Sequence, residues 1–170
     1  MSTSKFQMDK NDYFDDLGEV ALGSRLKRLS DRVMHDAAQT YKYLGYELQP
    51  KWFTLMCLLS DKKEVSINQA AQFLGLTQPF ISQISKEMFK NNLVKFKADP
   101  NDARRKIMLL TKLGRNKFKK MSKVRNSIRK AAQSICEETE QNFYNALIQF
   151  EKALAKKSLY KRTLENYYDK

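Results

Sequence analysis

The sequence predicts a mainly α-helical fold: a helix-turn-helix followed by a two-stranded β-hairpin, with N- and C-terminal helices at either end. Three observations carry that expectation. Apolar residues recur every three or four positions through most of the chain, while strand-like composition is confined to LVKFKA and KIMLLT, the runs flanking DPNDARR. Between Ser66 and Thr77 the chain shows two helix starts separated by one glycine. The third is charge: of a formal net charge of +13, all the excess lies between Lys86 and Lys130, where sixteen Lys and Arg face only Glu87, Asp99 and Asp102.

A length of 170 residues with 42% hydrophobic content suits a single domain over residues 1–170 with a buried core. Three Pro, five Gly and no low-complexity stretch or repeat give no sign of a linker. No apolar signal core is visible, and no run approaches the roughly 18 apolar residues of a membrane span, so a cytoplasmic location is expected. Cys57 and Cys136 lie far apart, and His35 is the single histidine. That set does not resemble a disulfide framework or a zinc site, so no metal or cofactor is expected. Histidine-based acid/base catalysis lacks material, and there is no nucleophile elbow, phosphate-binding glycine loop or dinucleotide fingerprint, so an enzyme is not expected.

Taken in order, Leu22, Leu26, Leu29, Val33, Ala37, Tyr41 and Leu44 form the stripe of a long amphipathic helix. Pro50 opens a second helix carrying Trp52, Phe53, Leu55, Met56, Leu58 and Leu59, apolar on most sides and therefore central; it ends at a polar turn, SDKKE. Ser66 with Gln69 makes a capping box for a short helix through Leu74, and Gly75 closes it in the left-handed position. Thr77 caps the next helix, with Pro79 in its first turn and Ile81, Ile84, Met88 and Phe89 facing inward. Its outward face carries Gln78, Ser82, Gln83 and Lys86, polar groups able to donate to phosphates or to read base edges; a plain solvated face has the same composition. The hairpin follows, so the 50–111 region reads as a winged helix-turn-helix.

Beyond Thr111 helical periodicity resumes with Phe118, Met121, Val124, Ile128, Ala131 and Ile135. A last helix from about Glu137 carries Phe143, Leu147, Phe150 and Leu154, with Leu164, Tyr167 and Tyr168 in its tail. These stripes and the first helix exceed what the small winged unit can cover, so residues 17–48 and 112–168 are expected to form a dimerisation region. A monomeric helical bundle is the competing arrangement.

Arg104, Arg105 and Lys106 stand side by side at the hairpin tip. Adjacent like charges repel, so the arrangement calls for a counter-charge from outside the chain. A surface made basic for solubility would spread the excess; concentrating it focuses a positive field where phosphates dock. The expected partner is double-stranded DNA. A nonspecific nucleic-acid-binding protein, coating the nucleoid or binding RNA, is the alternative.

Asp102-x-Arg104, then Met108-x-Leu110-Thr111 and Gly114, resembles the wing signature of the multiple antibiotic resistance regulator (MarR) family, with Met108 at a usual leucine. LGLTQPFISQISKEMFKNNLV is similar to that family's helix-turn-helix. The likeness runs from about Leu22 to Ile135 and by pattern through the final helix. LGSRLKRLSDRV and PKWFTLMCLL also resemble the branch often fused to a GNAT acetyltransferase. A stand-alone version without acetyl transfer is expected. The resemblance implies a homodimeric, sequence-specific transcriptional regulator that represses from a pseudo-palindromic operator. It places Arg104 in the minor groove with Asp102 directing it, Arg105 and Lys106 on phosphates, and Thr77, Gln78, Ser82, Gln83 and Lys86 on the major-groove helix. It further implies a small-molecule effector, an amphipathic acid or phenol, in a crevice near His35, Tyr43, Tyr46, Trp52 and Phe53, although aromatics at helical spacing are more often plain core. Cys57, within LMCLL, reads as a buried, inert thiol rather than a redox switch.

Overall fold

The computed structural model describes residues 12–100 and 102–169, with residues 102–104 described by their backbone alone. The chain forms two compact units, one ending at Met121 and the other starting at Ser122. Among the described residues no helix is long and apolar enough to cross a membrane.

The first unit opens with a short helix that the apolar stripe did not announce, α1 (Tyr13–Leu17), and a 3-10 turn over Gly18–Ala21. Asp12 caps α1 by accepting from the Phe14 amide and also takes two hydrogen bonds from the Arg28 guanidinium. Arg28 holds that carboxyl well below its ordinary value, at about 2. The long helix α2 (Leu22–Tyr43) follows as expected. A 3-10 turn at Pro50–Trp52 leads into α3 (Phe53–Lys62), whose Leu55, Met56 and Leu59 are buried.

The SDKKE segment is more than a polar turn. Lys63 adopts φ 68° and ends α3, and Glu64–Ser66 becomes strand β1. Strands β2 (Val94–Asp99) and β3 (Asp102–Leu110) form the expected hairpin, yet the sheet has three strands in the order β1-β3-β2. Val65 pairs with Met108, and Phe96 pairs with the same residue from the other side. A three-residue strand shows no alternation to read, and its partner is about forty residues away, so only closure of the tertiary structure reveals it. The hairpin register runs from Val94 opposite Leu110 to Ala98 opposite Lys106, then shifts so that Asp99 faces Asp102.

Two further helices, α4 (Ile67–Leu74) and α5 (Gln78–Lys90), lie between β1 and β2. The core gathers Leu55, Leu59, Ile81, Ile84, Met88, Leu93 and Met108, each at most 1% exposed. Helix α6 (Lys112–Lys120) is capped by Thr111, whose hydroxyl accepts from the Gly114 amide at 2.9 Å and donates to the Asn92 carbonyl at 2.6 Å. Gly114 sits against the Leu93 carbonyl so closely that a Cβ would lie 2.1 Å from that oxygen.

The helical stretch expected to run on past Thr111 breaks at Met121, and α7 (Ser122–Glu137) opens the second unit. The last helix also divides. It begins at Asn142 rather than Glu137, as α8 (Phe143–Lys156), and Ser158 caps a separate α9 (Leu159–Tyr168). Apolar periodicity marks a face but is blind to an interruption that preserves it; the caps Asn142 and Ser158 were the local signals. Neither α8 nor α9 buries a residue fully, and Tyr144, Phe150, Leu154, Tyr160, Tyr167 and Tyr168 are exposed. On α2, in the first unit, Leu29 and Val33 are also exposed.

Replacing Gly114 by alanine must push α6 off the Leu93 carbonyl. A loss of about 1–3 kcal/mol is expected, seen as a lower urea midpoint with an unchanged m-value; an unchanged midpoint would contradict the close approach.

Candidate nucleic-acid interface

Two capping arrangements set the helix-turn-helix. The Ser66 hydroxyl accepts from the Gln69 amide at 3.2 Å while the Gln69 side chain accepts from the Ser66 amide at 2.9 Å, completing the box. Gly75 takes φ 63°, a left-handed turn that a Cβ would strain, and the Leu76 amide returns to the Ala71 carbonyl. Thr77 then caps α5 through the Phe80 amide. Ile81, Ile84, Ser85 and Met88 form the buried side of α5, and the Ser85 hydroxyl is satisfied by the Ser82 carbonyl. The opposite side presents Gln78, Gln83 and Lys86, with Ser82 half-buried beside them.

A cleft of about 480 Å³ separates this helix from the wing. Ser66, Asn68, Gln78 and Ser82 line one wall, and Arg105 and Lys106 stand across from them. It continues, sharing Ser82 and Lys106, into a groove of about 570 Å³ lined by Lys86, Phe89, Lys95, Phe96 and Lys97. The fold thus brings Gln78, Ser82 and Lys86 and the wing cations Arg105 and Lys106 onto one surface, whereas Thr77 and Gln83 are exposed on α5 and its cap without lining the cleft or the groove. The side chains of Asp102 and Arg104 lie outside the described residues; their backbone belongs to β3.

Phe89 corrects the expectation that it faces inward: it is 53% exposed, with its ring 5.7 Å from that of Phe96. The spacing Ser82, Lys86, Phe89 is i, i+4, i+7, which puts Phe89 on the polar side of α5, and that signal was present in the sequence. Lys95, Lys97 and Asn68 were not among the expected site residues, because their approach to α5 depends on how the hairpin folds back.

On the other flank of α5, Glu87 accepts from the Trp52 indole at 3.2 Å and pairs with the Lys51 ammonium at 2.6 Å. Lys51, and next the Trp52 indole, hold its carboxyl below the ordinary range. The Gln83 amide donates to the same carboxylate at 3.4 Å.

Among the described residues, the five expected at the effector crevice are spread over separate contacts. His35 lies exposed on α2 against Gln39, and Tyr43 is 90% exposed. Trp52 is buried, and Phe53 packs 6.5 Å from the Phe118 ring. Of the five, Tyr46 alone lines the cavity of about 220 Å³ beside Glu47, Lys117 and Lys120, and its hydroxyl donates to the Lys120 carbonyl. Cys57 is half-buried rather than enclosed.

The MarR family model matches residues 48–106, from the residues just before α3 into β3. That match takes in the whole helix-turn-helix and the first strand of the hairpin. Solved structures agree on the fold. A mutant MarR from E. coli complexed with operator DNA superposes with a TM-score of 0.66 at 14% identity, covering 85% of this chain and 99% of that one. A transcriptional repressor, CouR, bound to a 23-mer DNA duplex gives 0.62 at 23% identity, covering 82% and 96%. BpsR of Bordetella bronchiseptica, whose DNA binding is regulated by 6-hydroxynicotinic acid, gives 0.61 at 20% identity, covering 79% and 98%. Comparison with curated proteins finds no match.

The capping box sets where α4 starts and therefore the cleft wall. Ser66→Ala should cost roughly 0.5–2 kcal/mol, read from chemical denaturation, and hydrogen exchange should quicken first at the amides of residues 67–69. Unchanged exchange there would show that the box carries little.

Proposed function

We propose that this protein is a sequence-specific, DNA-binding transcriptional regulator of MarR type that acts as a homodimer on a pseudo-palindromic operator. The observation that carries the reading is the cation-lined cleft between α5 and the wing, with Lys86, Arg105 and Lys106 on its borders. A duplex strand passing from major to minor groove fits there. Helix α5 then enters the major groove with Gln78, Ser82, Gln83 and Lys86 toward base edges, and Thr77 at its start. The wing reaches the adjacent minor groove, where a guanidinium such as that of Arg104, directed by Asp102, suits the concentrated negative potential. Arg105 and Lys106 neutralise phosphates.

The homodimer is supported by apolar surface that a single chain leaves exposed on α2 and, separately, on α8 and α9. Two α5 helices then meet successive major grooves, roughly 34 Å apart. Occupying a promoter in this way represses it. The reading includes release by a small ligand, in parallel with BpsR, whose DNA binding responds to 6-hydroxynicotinic acid. The cavity at Tyr46, bordered by Lys117 and Lys120, is where an acid would find cations.

Selection against a random duplex library at physiological salt should enrich a pseudo-palindrome, and Arg104→Ala should blunt its flanking positions. Lys106→Ala should weaken all sequences alike and reduce the slope of log K against log salt by about one unit. Tight, salt-sensitive binding without enrichment would favour the nonspecific nucleic-acid reading instead. Light scattering should return about twice the 20.0 kDa mass of one chain; a monomer at micromolar concentration would remove the dimer.

A further inference from the structure

We propose that Glu87 is a positioning residue that holds the Gln83 amide with its carbonyl toward the DNA, so that Gln83 reads adenine in the major groove. The inference rests on α5 being the major-groove helix.

Gln83 and Glu87 are one helical turn apart on α5. The Glu87 carboxylate is anchored to the body of the unit, with Oε2 accepting from the Trp52 indole at 3.2 Å and from Lys51 Nζ at 2.6 Å. Trp52 is itself 3% exposed, so this anchor does not swing freely with solvent. Oε1 takes the Gln83 amide at 3.4 Å. An ionised carboxylate only accepts hydrogen bonds, so the part of the amide facing it must be the NH₂ group. The opposite rotamer sets two acceptors against each other.

The direction of the amide fixes what it offers. One N–H is spent on Glu87; the carbonyl and the second N–H remain. Adenine presents an N6 donor beside an N7 acceptor, the complement of that pair. Cytosine presents its N4 donor alone. Guanine and thymine present acceptors, which the remaining N–H can meet only singly while the committed carbonyl is left without a donor. Without the carboxylate both amide orientations are equally open, and guanine becomes acceptable. The charge on Glu87 is matched by Lys51, so it adds no uncompensated negative charge to a phosphate-facing surface.

The test uses the full chain and the operator selected by the wild type, varied through all four bases at each half-site position. Gln83→Ala identifies the position at which preference disappears. There the wild type should favour adenine over guanine by about tenfold or more. Glu87→Gln, which can either accept from or donate to Gln83, should cut that ratio to about threefold or less while preferences elsewhere persist. A merely structural role would weaken all positions in parallel and leave the ratio intact. Wild-type preference for guanine or thymine at that position overturns the inference with no substitution at Glu87 needed, and so does an adenine preference that survives Glu87→Gln. Failure to select any operator removes the reading of α5 itself, and this inference with it.

Discussion

The winged unit depends on one backbone carbonyl, that of Leu93. The Leu93 amide closes the end of α5 by donating to the Met88 carbonyl, and its own carbonyl accepts the Thr111 amide at 3.0 Å. Gly114 presses on the same atom, which is why the first turn of α6 has no room for a side chain there. Helix α5, the first strand of the hairpin and α6 therefore meet at a single point. Val94 and Leu110, adjacent to it and buried, begin the hairpin register that carries Arg105 and Lys106 to the cleft.

Electrostatics are arranged around that frame rather than through it. Carboxylates near the basic segment are paired at its margins: Glu64 with Lys97 at 2.5 Å, Glu47 with Lys117 at 2.8 Å, and Glu87 with Lys51 at 2.6 Å. The cleft itself is bordered by Lys86, Arg105 and Lys106. Exposed pairs of this sort contribute little to stability individually. At Glu87 the pairing also leaves Oε1 to accept from the Gln83 amide.

The apolar surface divides in a similar way. In the first unit the core is closed, with Leu55, Ile81, Met88 and Met108 fully enclosed. Helices α8 and α9 bury nothing fully, and the long α2 leaves Leu29 and Val33 in solvent. These exposed apolar faces are what the proposed dimer would cover, separately from the polar side of α5.

Local chemistry was legible in the sequence because it acts over a few residues. Ser66 with Gln69, the left-handed Gly75, the Thr77 cap, the hairpin around DPNDARR and the clustering of cations all follow from short-range hydrogen bonding, backbone sterics and charge, and the fold agrees with each. Other features needed the closed structure. Strand β1 exists because β3 lies beside it, and the breaks at Met121 and Lys157 leave the apolar repeat intact, so periodicity passes over them. The contact of Phe89 with Phe96 formed when the hairpin folded back on α5, and Trp52 and Phe53 make separate contacts with Glu87 and Phe118. Sequence alone determined the helix-turn-helix with its hairpin and the place where positive charge collects. Tertiary structure decided which side chains share a wall, because that depends on contacts between residues far apart in the chain.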